Sequence, residues 1–478
     1  MVRKEPREYR RNQGEILQSY KDEVLSSILV RFIHKLPDNI VTICLAHLKR
    51  LHSTDRRKPN TSTSNSSPGK SGTMFRLSQD DSFHYEILRT LSHARYNGAD
   101  VGEVLEAASA ITAGNMESFY EAFNALAIRA NSQAEAINSI KHPVSARDAF
   151  FRAATYFRAA DFYLHGNPDD ERINDLWSKQ LTAFDKAIAL LPIPGERVIL
   201  HASDGAFDIP AIFYRAHGAD AAGPRPTLIL GNGYDGAQEE MLHVTGFAAL
   251  ERGFNVITYE GPGQPTIRRQ QSLGFIHQWE KVVSPVVDYL LGRPEVDGAH
   301  IGLMGYSMGG WLAVRAAAFE HRLAAVFAVD GVFDVFQAYS NQTPPAIRAL
   351  LEAGDMSKVD DIISDLLASG KAPTALRWGI EQGIWSFNAS GASDFVEKTR
   401  GMSLEGIAHQ VKCPVWVGCA ADDLFFQGQP EMLRDALGDR ATYRRLTAKD
   451  GAGNHCHVGA MALVNGYILD WFNGLFCE

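Results

Sequence analysis

Apolar and polar positions repeat along this chain with two different periods. From about Ser82 to Leu191, apolar residues recur at three- and four-residue spacing, as in DVGEVLEAASAI, MESFYEAFNALAIRANSQAEAI and SARDAFFRAATYFRAADFYL. That period predicts amphipathic helices. Ser145 followed by Asp148 reads as a capping start for the last of them. Pro192 and Pro194 close the region. Beyond them the texture changes to short, nearly continuous Val/Ile/Leu runs separated by helical stretches. ERVILHA and IPAIFYRA read as an antiparallel pair. PTLILGN, FNVITYE, HIGLMGYS, LAAVFAVDG, CPVWVGCA and ATYRRLTA read as further strands, with helices between them. Strand–helix alternation with strands apolar on both faces predicts an α/β fold around a mostly parallel sheet. Residues 336–410 interrupt the alternation with helical sequence. An insertion there roofs the carboxyl edge of the sheet, where ligands bind in open α/β folds.

The first 73 residues are a different kind of sequence. Positions 1–60 hold 13 basic and 7 acidic residues, a net +6, against −15 for the remainder of a chain whose total is −9. Residues 53–73 (STDRRKPNTSTSNSSPGKSGT) are too polar to offset the entropy of ordering and read as a disordered linker behind a basic appendage. Two readings stand for this segment: a loosely attached amphipathic appendage, or translation that begins at Met74, just after the linker. The expected domains are therefore 1–73, a helical domain over 74–194, and a sheet-containing core over 195–478 with a cap at about 336–410.

The acidic total argues against a nucleic-acid partner, which needs a basic footprint. Five cysteines, an odd number without a CxxC pair, fit a reducing, cytoplasmic setting and no structural metal. No apolar run is long enough for a membrane span, and the basic start lacks the apolar segment of a signal peptide. Phosphate-loop and dinucleotide fingerprints are missing, so the residues point to no cofactor.

The most specific motif is Gly305-Tyr306-Ser307-Met308-Gly309-Gly310, between the strand HIGLM and the helix WLAVRAAAF. In that context G-x-S-x-G is a nucleophile elbow, a strand-to-helix turn so tight that small residues are needed close to the serine, here the glycines two positions to either side. Serine needs a base, and the base needs an orienting acid. In chain order these follow the serine. Asp422 and Asp423 compete for the acid after the strand CPVWVGCA, and His455 and His457 compete for the base after ATYRRLTA. The oxyanion needs two backbone donors. Met308 supplies one. The Gly-rich loop Gly231–Gly236 supplies the other at Tyr234. The loop Glu260–Pro265 is expected to shape the pocket rather than take part in chemistry. Phe333, Phe336, Tyr339, Trp378, Trp385 and Phe387 are aromatic residues available to line it.

Taken together, GNGYDGAQEEMLHVTGFAALERGFNVITYEGPGQ, GYSMGG, EHRLAAVFAVDGVFD, CPVWVGCAADDLFFQGQP and DGAGNHCHVGA resemble α/β hydrolases of the 2,6-dihydropseudooxynicotine hydrolase-like group. They are especially similar to its fungal relatives, the fusarin-type hydrolases of secondary metabolism. The resemblance runs from about Met74 to the C-terminus and implies an α/β-hydrolase fold preceded by a helical domain. It implies Asp423 rather than Asp422 as the acid, and His455, in a Gly-x-His-Cys pattern, rather than His457 as the base. One departure is Pro265, where such proteins often carry glycine. The implied activity is serine-dependent hydrolysis of an ester or of a C–C bond beside a ketone, in a bulky, polyketide-derived small molecule. A homodimer surface on the helical domain is implied as well. The competing readings are a general carboxylesterase, acyl transfer or cyclisation in the same pathway, and a non-catalytic binding protein that has kept the fold.

Overall fold

The computed structural model describes residues 75–216 and 223–476, all of them within one compact unit, Thr73–Glu478. The expectations for residues 1–73 lie outside the described residues. Eight strands form one sheet: β1 (Glu196–His201), β2 (Asp208–Tyr214), β3 (Arg225–Gly231), β4 (Asn255–Tyr259), β5 (Val296–Tyr306), β6 (Ala325–Val329), β7 (Val415–Ala420) and β8 (Ala441–Leu446). Their spatial order is β1-β2-β4-β3-β5-β6-β7-β8. β1 pairs antiparallel with β2, and β2 with β4; every other neighbour is parallel. At the centre Ile229 stands beside Ile257 and Leu303, all three without solvent exposure. Burial on both faces is why these strands read as continuous apolar runs instead of alternating.

The helical region before the sheet comprises α1 (Asp81–Ser92), α2 (Val101–Ser109), α3 (Met116–Ala136), α4 (Pro143–Asp161) and α5 (Glu171–Ala189). Asp80 caps α1 by accepting the Ser82 and Phe83 N–H groups. The start of α4 differs from the sequence expectation. The helix begins at Pro143, not at a Ser145/Asp148 box, because proline's fixed φ suits the first helical position and needs no N–H partner there. The helices of this region share one apolar core with the sheet, from Phe83 on α1 to Phe472 near the C-terminus.

Within the sheet region come α6 (Gln238–Met241), joined through a π-helical turn, Leu242–Gly246, to α7 (Phe247–Glu251); then α8 (Pro265–Gln270), α9 (Glu280–Leu291) and α10 (Gly309–Ala317). The insertion between β6 and β7 folds as α11 (Val335–Gln342), α12 (Pro345–Ala353), α13 (Met356–Ala368), α14 (Thr374–Ser386) and α15 (Ala392–Thr399). α16 (Gln429–Leu437) and α17 (Met461–Gly474) complete the order. Among the described residues no helix is long and apolar enough to cross a membrane. Because β3 and β5 to β8 are parallel, the loops that follow them all emerge at one edge of the sheet.

Candidate active site

Ser307 occupies the turn between β5 and α10 with φ +62°, a left-handed conformation that is strained for a side-chain-bearing residue. Close packing forces the turn. A Cβ at Gly305 would lie 1.7 Å from the Gly309 carbonyl oxygen, so only glycine lets the strand pass under the helix start. The Ser307 N–H donates to Val329 O at 2.5 Å, fastening the turn to β6.

The loop after β8 carries His455 over this serine. His455 Nε2 lies 2.8 Å from Ser307 Oγ, and its Nδ1 lies 2.8 Å from Asp423 Oδ2. Asp423 is buried and its Oδ1 accepts the Phe425 and Phe426 N–H groups at 2.6 and 3.0 Å. Of the two rival pairs, the structure brings Asp423 and His455 to the serine. Asp422 faces solvent. His457 is fully buried, with Nδ1 at 2.8 Å from Ala452 O, and makes no hydrogen bond to the serine.

The loop after β3 closes the other side. A Cβ on Gly233 would meet Tyr306 O at 2.6 Å and Met308 N at 2.9 Å. Glycine is what lets this loop touch the elbow and bring the Tyr234 and Met308 backbones side by side. Neither N–H has a hydrogen-bond partner among the described residues, so both remain available to an oxyanion. The Tyr234 hydroxyl donates to Gly379 O at 2.5 Å and ties the loop to the cap. The Glu260–Pro265 loop differs from expectation. It does not line the cavity; its Gln264 amide donates to Asn232 O at 2.8 Å and braces the Gly231–Gly236 loop from behind.

Sequence reasoning missed three features. The first is Asp330, at the carboxyl end of β6 and without solvent exposure. Its Oδ2 lies 3.0 Å from His455 Nδ1 and accepts the Cys456 N–H at 2.7 Å. An acid directly after an apolar strand at the reactive edge was the available signal. The second is Tyr85 of α1, whose ring rests against His455 with centroids 5.8 Å apart. The third is Arg89, one turn further along α1. It grips Glu240 of α6 through two 2.6 Å hydrogen bonds and also pairs with Glu86 and Asp235. No local pattern announced either α1 contact.

Electrostatics follow from burial. Burial pushes the Asp423 carboxyl up to about 6, opposed by the His455 charge and helped by Asp330. Burial also works against ionised Asp330, yet hydrogen bonds from His455 and Asp423 hold it below the usual carboxylate range. His455 is raised well above an ordinary histidine: burial is the largest single influence and opposes its charge, but Asp423, Cys456 and Asp330 together outweigh the burial. Burial lifts the Cys456 thiol to about 11, so it is not a thiolate at neutral pH. Among the described residues, Asp330, His455 and Cys456 are close enough together to share a cation. The imidazole nitrogens are already engaged by Ser307 and Asp423, and Asp330 Oδ2 by a backbone N–H. Those atoms form a hydrogen-bonding cluster rather than a set of open ligands.

The site opens into an apolar-walled cavity whose empty space, with the open solvent at its mouth included, is about 1270 Å3. Tyr85 and Phe162 from the helical region, Phe425 from the β7 loop, and Ile347, Leu376 and Trp378 from the cap form much of its wall. Of the aromatic residues expected to line it, Tyr339 and Trp378 do so. Phe333, Phe336, Trp385 and Phe387 do not; Trp385 instead stacks on His165, and Phe387 packs on Phe275.

Comparison with known proteins agrees with this architecture. The model of the alpha/beta hydrolase family matches residues 216–465. Hydrolase LUC6 of Fusarium sp is 30% identical over 407 residues, covering 82% of this chain and 96% of that protein. The 20-hydroxy-prefusarin hydrolase FUS2 of Gibberella moniliformis is 30% identical over 424 residues, covering 84% of this chain and 98% of its own length. Among solved structures, the 2,6-dihydroxy-pseudo-oxynicotine hydrolase superposes with a TM-score of 0.62 at 21% identity, over 80% of this chain and 95% of that one. With the sheet order, the elbow and this match to more than half its length, the chain belongs to the alpha/beta hydrolase family.

Proposed function

We propose that this protein is a serine-dependent hydrolase that cleaves an ester, or a C–C bond beside a ketone, in a bulky, polyketide-derived secondary metabolite. The observation that carries the reading is the hydrogen-bonded line from Asp423 through His455 to Ser307, opening into an apolar cavity. The metabolite class is supported by relatives such as the 20-hydroxy-prefusarin hydrolase.

In this reading His455 Nε2 takes the Ser307 Oγ proton as the oxygen attacks the substrate carbonyl. The new oxyanion accepts hydrogen bonds from the Tyr234 and Met308 N–H groups. Such donors are worth about 3–4 kcal/mol each where they have been removed in other serine enzymes. Asp423 holds the imidazole with its N–H on Nδ1 and balances the imidazolium. His455 then returns the proton to the departing alkoxide or enolate carbon, leaving an acyl-Ser307. Water, deprotonated by His455, completes the cycle.

The cavity favours this over a generalist carboxylesterase. A small acetyl ester would bury little surface against its apolar wall, while a long acyl chain would gain about 0.8 kcal/mol for each CH2 buried. The test is kcat/KM over p-nitrophenyl esters and aryl β-diketones of increasing acyl size. A rise of at least tenfold from acetyl to octanoyl or larger supports the proposal; the best rates on acetate would overturn it in favour of the carboxylesterase.

A further inference from the structure

We propose that Asp330 and Asp423 act as one acid, a carboxyl–carboxylate pair that shares a single proton and jointly faces His455 Nδ1. This rests on the serine-hydrolase reading above and deepens it.

The geometry comes first. One imidazole nitrogen, which can carry one hydrogen, has two carboxylate oxygens in range: Asp423 Oδ2 at 2.8 Å and Asp330 Oδ2 at 3.0 Å. They arrive from neighbouring strands, β6 and β7, whose carboxyl ends lie side by side in the sheet. Each is independently held: Asp423 by two N–H groups of its own loop, Asp330 by the Cys456 N–H. Both are buried, Asp330 completely. Two carboxylates converging on one imidazole nitrogen in a dry site do not both ionise freely, because the second charge is opposed by the first and by lost hydration.

The titratable groups facing the pair are His455, Cys456 and His457 from the loop after β8, Cys419 from β7 and Tyr306 from β5. His457 Nε2 stands 3.8 Å from Asp330 Oδ1, too far for a hydrogen bond, and neither atom has another partner among the described residues.

The proton count has a chemical consequence. With one proton shared, the pair carries a single negative charge, which balances the imidazolium formed when Ser307 gives up its proton. With none, two negative charges would hold His455 protonated, and it could not accept the proton from Ser307. With two, nothing would balance the imidazolium. In this arrangement Asp330 touches no reacting atom and is a positioning residue that acts through His455.

The test compares Asp330→Asn, Asp423→Asn and the double variant with the full-length protein, using p-nitrophenyl octanoate. An amide imitates the neutral member of the pair, so each single variant keeps one carboxylate on Nδ1. The expected loss in kcat is roughly 10–100-fold for each single variant, against about 10⁴ for the double, the cost of losing the acid in a serine enzyme. KM should stay within about threefold, and the acid limb of the pH–rate profile should move by about one unit or more in both single variants. A purely structural role for Asp330 would not move that limb. Asp330→Asn with wild-type kcat and profile, or either single variant as slow as the double, would overturn the proposal. Should Asp330→Asn not fold, the wild-type protein still decides. The downfield proton signal of His455 Nδ1 should shift as the pair gains or loses a proton, in step with the limbs of the pH–rate profile, and a signal constant across both limbs would contradict sharing. Labelling of Ser307 by a fluorophosphonate is read in parallel. Its absence removes the serine reading itself, whereas normal labelling with either failure above removes only the shared acid.

Discussion

The Tyr85 ring lies against the His455 imidazole with centroids 5.8 Å apart and packs edge-on to Phe425 at 6.3 Å. One side chain from the helical region thus supports the imidazole that the sheet region presents to Ser307. The helical region is part of the site's wall and not an attachment beside it.

Tyr85→Ala should therefore lower kcat/KM on long-chain esters by about tenfold or more. The loss combines buried aromatic area with looser imidazole positioning, where small misplacements are costly. Tyr85→Phe keeps the ring and should recover most of the rate. Steady-state kinetics on both variants checks this; equal losses would assign the effect to the hydroxyl instead.

Arg89 makes the corresponding electrostatic joint. Arg89→Met would leave Glu240, Glu86 and Asp235 with less compensation in a buried setting. Removing one partner of such a cluster costs about 3–5 kcal/mol. Urea unfolding at pH 7.5 should show that loss, and a change below 1 kcal/mol would mean that water reaches the cluster.

His243 gives a pH dependence with a definite sign. Burial, then the neighbouring His93, lowers its pKa to about 3, and its Nδ1 lies 2.8 Å from Tyr96 O. The folded protein therefore binds fewer protons here than the unfolded chain, whose histidines titrate near 6.5. The contribution is complete above pH 6.5 and is lost as pH falls from there toward 3. Between pH 6.5 and 5 it amounts to roughly 2 kcal/mol. Urea midpoints at pH 7.5 and 5.0 should diverge more for wild type than for His243→Gln; identical slopes would contradict the assignment.

The rival histidines separate chemistry from packing. His455→Ala should lower kcat by about 10³-fold or more. His457→Ala should cost far less rate but about 1–3 kcal/mol of stability, because it empties a fully buried position and orphans the Ala452 carbonyl. Asp422→Asn, at an exposed position, should change both by little. Rates together with thermal unfolding of the three variants decide the matter.

Much of this was legible in the chain because the physics is local. Buried parallel strands read as apolar runs, and the elbow announces itself through the glycines that its turn requires. The Asp422/Asp423 and His455/His457 doublets were not decidable from residue type, since only the fold shows which member turns inward. Asp330 escaped because its role depends on strand order: β6 lies beside β7, and the loop after β8 returns across both. Tyr85 and Arg89 escaped because nothing in the sequence of α1 states which surface it docks on. The start of α4 departs from the Ser145/Asp148 reading because Pro143 already fills the first helical position.

The most direct measurement of the central claim is the mass of the protein after reaction with a fluorophosphonate, followed by mapping of the modified peptide. The account predicts one adduct per chain, on Ser307, absent from Ser307→Ala. Turnover by that variant should fall by on the order of 10³-fold or more yet stay above the water reaction. An adduct on another residue, or wild-type turnover by Ser307→Ala, would contradict it.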